Sequence, residues 1–251
     1  MKDVLSRVKL LIAGEHGLVV EFGNAISPEI NGLVQQLTRQ LNNRVIAGIV
    51  EVVPTYRSAT VYFDPLVISR QALERIITQL LGDMQPHDPD GLNPRVVRVP
   101  VCYGGVLGPD LEFVARYASL STQEVIELHT SKPYLVYMLG FTPGFPYLGG
   151  MSDQIAVPRQ EKPRLKIPAG SVGIGGYQTG IYPIESPGEW WLIGRTPLKA
   201  FNPQSQNPFL VSAGDYLHFS EITIDEYFEI RREVETGTYV LEVSDLSEKV
   251  K

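Results

Sequence analysis

The sequence predicts a small α+β sandwich domain over residues 1–90, followed by a mainly β, barrel-like domain over residues 91–251. Three observations carry this. Two strand–strand–helix patterns occupy the first eighty residues, and a polar Asp, Pro and Gly-rich stretch from Asp83 to Pro94 follows them. Beyond that stretch, short apolar runs alternate with proline and glycine almost to Phe219, which favours a barrel or a sandwich.

Taken in order, Val8–Ile12 and Leu18–Phe22 are apolar runs split by the glycine-flanked turn Ala13-Gly-Glu-His-Gly17, a hairpin pattern. Ser27-Pro28 marks a helix start, with serine as N-cap and proline at the first helical position. Ile30, Leu33, Val34, Leu37 and Leu41 then recur at steps of three and four, which is helical spacing. Ile46–Val53 and Ser58–Phe63 are β-branched runs parted by Pro54-Thr-Tyr-Arg57, a second strand pair. Ser69–Leu81 repeats the helical pattern through Leu73, Ile76, Ile77 and Leu80. The Asp83–Pro94 stretch reads as a linker and sets the domain boundary. Helical spacing returns over Pro109–His129, with a break expected near Leu120-Ser-Thr122. A closing helix is expected over Ile224–Glu235, and the tail from Ser244 reads as polar and frayed.

Composition narrows the function classes. The 251 residues are 43% hydrophobic and 20% charged, with a formal net charge of −6 and no basic run. Nucleic-acid binding needs clustered cations to release counterions from phosphates, so it is not expected. The N-terminus, with charges scattered through it, does not read as a signal peptide, and no apolar stretch reads as long enough to span a bilayer. A cytoplasmic protein is the expected reading. Cys102, the single cysteine, lies in an apolar run that reads as a buried strand, so it is expected to be structural and leaves no disulfide partner.

Four segments are candidates for chemistry. Leu139–Gly150 sets Phe141, Phe145 and Tyr147 among glycines and prolines, which suits either a pocket wall or a tight barrel corner. Arg159, Lys162, Arg164 and Lys166 place four cations within eight residues, either an anion site or a solvated basic loop. Ser171–Gly180 is glycine-rich but has neither the P-loop ending nor the dinucleotide spacing. Its backbone therefore serves tight turns against a ligand or another strand, with Gln178, Thr179 and Tyr182 as polar side chains within reach. In Pro187–Pro197, Trp190 and Trp191 point to opposite faces of a strand, and Arg195 is placed to pair with a carboxylate. A triad of Ser171, His129 and Asp110 finds no nucleophile elbow, and His129 suits a helix end where an imidazolium is favoured. His16, His87, His129 and His218 are too scattered in sequence for a metal set, so no metal site is expected.

These segments together resemble the KipI family, also called allophanate hydrolase subunit 1 or the 5-oxoprolinase B subunit. The resemblance rests on Val99-Pro-Val-Cys-Tyr-Gly-Gly105, Gly108-Pro-Asp-Leu111, Tyr137–Gly150, Pro158-Arg159, Pro163-Arg164, Pro168–Pro183, Gly194-Arg-Thr-Pro197 and Gly214-Asp215. Glu189 departs from it, standing where a second glycine is expected. The resemblance implies a cyclophilin-like β-barrel for residues 91–251. It also implies one component of an ATP-dependent 5-oxoprolinase, inactive alone, that converts 5-oxoproline to glutamate beside KipA-like and LamB/YcsF-like partners. The ATP site cannot be located in this chain. On that reading, Arg159, Arg164, Gln178, Tyr182 and Arg195 face substrate or anion, and Phe141, Phe145 and Tyr147 wall the pocket. His129 and Asp110 then stand as candidates for proton handling. The resemblance leaves two other functions open, inhibition of a sensor histidine kinase and carboxyl transfer as in urea carboxylase. For the latter the chain has no Met-Lys-Met biotinylation site.

Overall fold

The computed structural model describes residue 5 and residues 7–84 and 94–245. Most of the expected linker, the first four residues and the end of the expected tail lie outside the described residues. The chain divides into two compact units, Met1–Leu92 and Asn93–Lys251.

In the first unit, β1 (Lys9–Ala13) and β2 (Gly17–Glu21) form the expected hairpin, closed where Ala13 faces Gly17. Helix α1 (Pro28–Asn43) starts where the Ser27 side chain accepts from the Ile30 amide at 3.2 Å. Strands β3 (Ile49–Pro54) and β4 (Ser58–Phe63) follow. The β3 strand begins three residues later than the β-branched run suggested. Gly48 takes φ +92°, and a Cβ there would lie 2.5 Å from Ile68, so the chain turns before it extends. Helix α2 (Arg70–Asp83) is capped by Ser69. The sheet is antiparallel in the order β1-β2-β4-β3. Leu18, Val20, Ala59 and Val61 from the sheet share one core with Val34 and Leu37 of α1 and Leu73, Ile77 and Leu80 of α2. This is a two-layer α+β sandwich.

The second unit is built on β5 (Arg95–Tyr103), whose alternate valines Val97, Val99 and Val101 enter the core. Two short helices follow, α3 (Leu111–Ala118) and α4 (Thr122–Thr130). The break falls where expected, because Ser119 adopts a left-handed conformation and Ser121 with Glu124 forms a capping box that starts the next helix. Next come β6 (Tyr134–Leu139), β7 (Pro146–Gly149), a 3₁₀ turn at Asp153–Ile155, β8 (Arg164–Ile167), β9 (Ser171–Gly175), β10 (Gln178–Ile181), β11 (Ser186–Gly188), β12 (Trp191–Arg195) and β13 (Tyr216–Glu221). Helix α5 (Ile224–Thr236) and β14 (Val243–Asp245) close the unit.

The main sheet runs β10-β9-β12-β5-β13-β6-β7, with β14 added on β5. Its end strands β7 and β10 lie against each other, so the sheet is nearly closed into a barrel. Strands β5 and β13 run parallel, while the other neighbours are antiparallel. Cys102 is buried in β5, and burial pushes its thiol pKa up, which leaves it a packing residue.

The glycine-rich run is strand, not a ligand loop. Residues Ser171–Gly175 and Gln178–Ile181 pair with each other, and β9 pairs with β12 on its other side. Its glycines make room for a ring: a Cβ on Gly175 would lie 2.4 Å from Trp190 Cδ1, and one on Gly180 would lie 3.2 Å from Trp190 Cζ3. Gly175→Ala is therefore an overpacking change. It is expected to lower stability by about 2 kcal/mol, read as a lower urea midpoint, and to shift the Trp190 ring.

Candidate functional site

A concave site of about 330 Å³ lies on the second unit. That is the lower end of the size range of small-molecule pockets. Its walls are Phe141, Phe145, Tyr147, Tyr182 and Trp190, with Arg159, Gln178 and Glu189 as its polar side chains. The aromatics meet edge to face around Phe145, whose ring centroid is 5.4–5.7 Å from those of Tyr147, Trp190, Phe141 and Tyr182. Such contacts fix the orientation of the rings that wall the cavity.

The loop before β7 presents Phe141 by strain. Phe141 has φ +65°, unusual for a side-chain-bearing residue, and is 66% exposed. The turn is held by amide bonds from Thr142 to the Gly140 carbonyl (2.8 Å), Phe145 to Thr142 (3.1 Å) and Gly140 to Phe145 (3.1 Å). Those bonds outweigh a cost of about 1 kcal/mol for the left-handed residue.

Trp190 is fixed from behind. Its carbonyl accepts from Gln160 Nε2 at 3.2 Å and from Arg164 at 3.4 Å, and the Gln160 amide donates to the Glu189 carbonyl at 2.8 Å. Trp191 points to the other face as expected. There it stacks on Phe113 at 3.7 Å, and its indole N–H donates to the Pro158 carbonyl at 2.7 Å. Burial pushes the Tyr182 phenol up to about 12, with a hydrogen bond from the Trp190 backbone pulling the other way. The hydroxyl therefore stays protonated at neutral pH and remains a donor.

Arg159 sits on the rim, its guanidinium 3.4 Å from Gln178 Oε1 and 3.9 Å from Glu189. These are loose, half-exposed contacts, so the cation can turn to an incoming anion. Glu189, Pro163, Pro187 and Gly188 also line the site and were not among the expected residues. The signal for Glu189 was its departure from the family's glycine.

Four expected residues lie elsewhere. Arg164 is committed to Asp110 by a bidentate pair, 2.7 Å at each oxygen, and Asp110 also accepts from the Leu192 amide at 2.7 Å. Neither group faces the cavity, so Arg164 is a clamp and not an anion receptor, and Asp110 anchors β12 instead of handling protons. Arg195 meets no carboxylate among the described residues. Its Nε donates to the Ala169 carbonyl at 2.9 Å, and the side chain borders a different depression. His129 is 0% exposed and stacks on Phe219, with centroids 4.5 Å apart. Its two ring nitrogens lie 2.7 Å from Tyr103 Oη and 2.7 Å from Thr179 Oγ1. Burial lowers its pKa to about 3, so the ring is neutral and the imidazolium expected at the helix end does not form. Among the described residues, no group of three or more His, Cys, Asp or Glu could hold a metal, and no helix is long and apolar enough to cross a membrane.

A nearly closed barrel with an aromatic, singly cationic cavity, joined in one chain to an α+β sandwich, defines a carboxyltransferase-type fold, and residues 8–211 match the family described as carboxyltransferase domain, subdomain C and D. The chain belongs to that family, in the branch of the 5-oxoprolinase B subunits. It is 44% identical over 230 residues to the 5-oxoprolinase B subunit of Bacillus subtilis (strain 168), spanning 88% of this chain and 95% of that one. The corresponding protein of Escherichia coli O157:H7 is 39% identical over 218 residues, 86% of this chain and 96% of that protein. A crystal structure of TTHA0988 superposes with a TM-score of 0.74 at 36% identity, covering 82% of this chain and 40% of that one. This chain therefore corresponds to less than half of TTHA0988.

Proposed function

We propose that the chain is the B subunit of a cytoplasmic, ATP-dependent 5-oxoprolinase, working beside KipA-like and LamB/YcsF-like subunits, and that its aromatic cavity binds 5-oxoproline. The observation that carries the reading is the cavity's makeup: five aromatic rings, one amide, and a rim cation only loosely held by the one carboxylate, Glu189, at 3.9 Å. A five-membered lactam has two flat faces, a carboxylate and an amide. The aromatic walls give the ring apolar contact, Arg159 takes the carboxylate, and Gln178 with the Tyr182 hydroxyl takes the lactam group. The 44% identity to a protein named as the B subunit of 5-oxoprolinase, nearly end to end, supports the same reading.

Hydrolysis of a resonance-stabilised lactam needs the carbonyl made more electrophilic, which ATP supplies by phosphorylating the amide oxygen. The role of this chain is to bind and orient the ring and to keep bulk water off it. Its glycine-rich strands have their backbone amides in sheet pairing, so those strands do not suit a phosphate cradle.

The test is 5-oxoproline-dependent ADP release by the three proteins together, omitting one at a time. Release is expected only from the full mixture. In that mixture Arg159→Ala is expected to raise KM for 5-oxoproline by about 10- to 100-fold, the loss of one charge-assisted contact. No release from three folded proteins would transfer the assignment to kinase inhibition. An unchanged KM would remove Arg159 from the site.

A further inference from the structure

A second depression, of about 180 Å³, lies where the end of β12 meets α5. Tyr182 lines the aromatic cavity, and Pro183, next in the chain, borders this depression. Three cations surround it from three separate elements: Arg195 ends β12, Lys199 lies on the following loop, and Arg231 is on α5. Glu235 is the only carboxylate among the lining residues, which leaves two positive charges in excess. In a chain of net charge −6, that local excess runs against the overall sign.

The cations are unequally engaged. Arg231 pairs with Glu235 at 3.0 Å, one turn along the helix. Arg195 is oriented by its Nε–Ala169 bond, while its two terminal amino groups have no partner among the described residues. Lys199 makes no hydrogen bond or ion pair with the described residues and is exposed. A guanidinium held at its Nε, with its remaining donors open, is preorganised for an oxyanion. A carboxylate would need one such fork. Cations contributed to one depression by three separate elements suit a tetrahedral anion of higher charge.

We propose that this depression is a phosphate-binding site, held by Arg195, Lys199 and Arg231 and separate from the aromatic cavity. Two sources share the chemistry: free inorganic phosphate, and the phosphate of a nucleotide. The site does not depend on the 5-oxoproline reading, and its test uses the full chain alone.

Calorimetric titration of the chain with inorganic phosphate is expected to show one site. Lys199→Met, at an exposed position that leaves the core intact, and Arg195→Lys are each expected to weaken it by about tenfold, one charge-assisted contact. ADP that displaces phosphate would identify a nucleotide as the source, and ADP that does not would identify the free ion. Absence of phosphate binding to the unaltered chain, or binding unaffected by both substitutions, would overturn the proposal.

Discussion

Acidification is expected to unfold the second unit through His129, and a variant lacking the imidazole is expected to lose much of that sensitivity. The folded ring has a pKa of about 3 because burial opposes its charge, against about 6.5 in an unfolded chain. Between those values the unfolded chain takes up a proton that the folded chain refuses. Stability from this group is therefore fully present above pH 6.5 and is lost as the pH falls. The slope is about 1.4 kcal/mol per pH unit, which accumulates to roughly 4 kcal/mol by pH 3.5. The ring's neighbours offer no compensation: Tyr103 and Thr179 are neutral partners, and Phe219 covers a face. Urea unfolding of the native chain and of His129→Asn from pH 7 to pH 4 measures the difference. Parallel pH profiles would show that the imidazole is not the titrating group.

Asp110→Ala is expected to cost about 3 kcal/mol at neutral pH. Removing the carboxylate leaves the Arg164 guanidinium without its bidentate partner and the Leu192 amide without its acceptor. The Asp110 side chain is nearly buried, whereas Arg164 is 31% exposed and water recovers part of the loss, so the low end of the range for a broken buried pair applies. The Arg164 contact to the Trp190 carbonyl loosens with it, so the aromatic cavity should lose ligand affinity as well as stability. Chemical denaturation measures the first effect. A midpoint within about 0.5 kcal/mol of the native chain would show that the pair is not a clamp.

The elements were legible because their signals are local. Ser27 sits where a capping hydroxyl meets its own helix three residues on, and the break expected near Leu120-Ser-Thr122 falls between α3 and α4, where the structure forms a Ser121–Glu124 capping box. The opposite orientation of Trp190 and Trp191 followed from strand alternation. The aromatic loop was legible as either a pocket wall or a tight barrel corner, and only the fold shows Phe141, Phe145 and Tyr147 lining a cavity. Which cation serves the wall was not legible. Arg159 and Arg164 are five residues apart in one basic run, yet one lies on the cavity rim and the other is locked to a carboxylate 54 residues away. Charge spacing along a chain carries no information about such a partner.

By itself, then, the sequence determined the class of the two units, the helix starts to within about two residues, the strand alternation and the family, since each depends on residues within about a turn or a pleat of one another or on ordered motifs. Tertiary structure decided the chemistry. Burial between Tyr103 and Thr179 turned His129 from a helix-end cation into a neutral core group, pairing turned Arg164 and Asp110 into a clamp, and barrel closure left Arg159 and Arg195 facing different depressions. Solvation and partner distance set what an ionisable side chain can do, and both are properties of the folded chain.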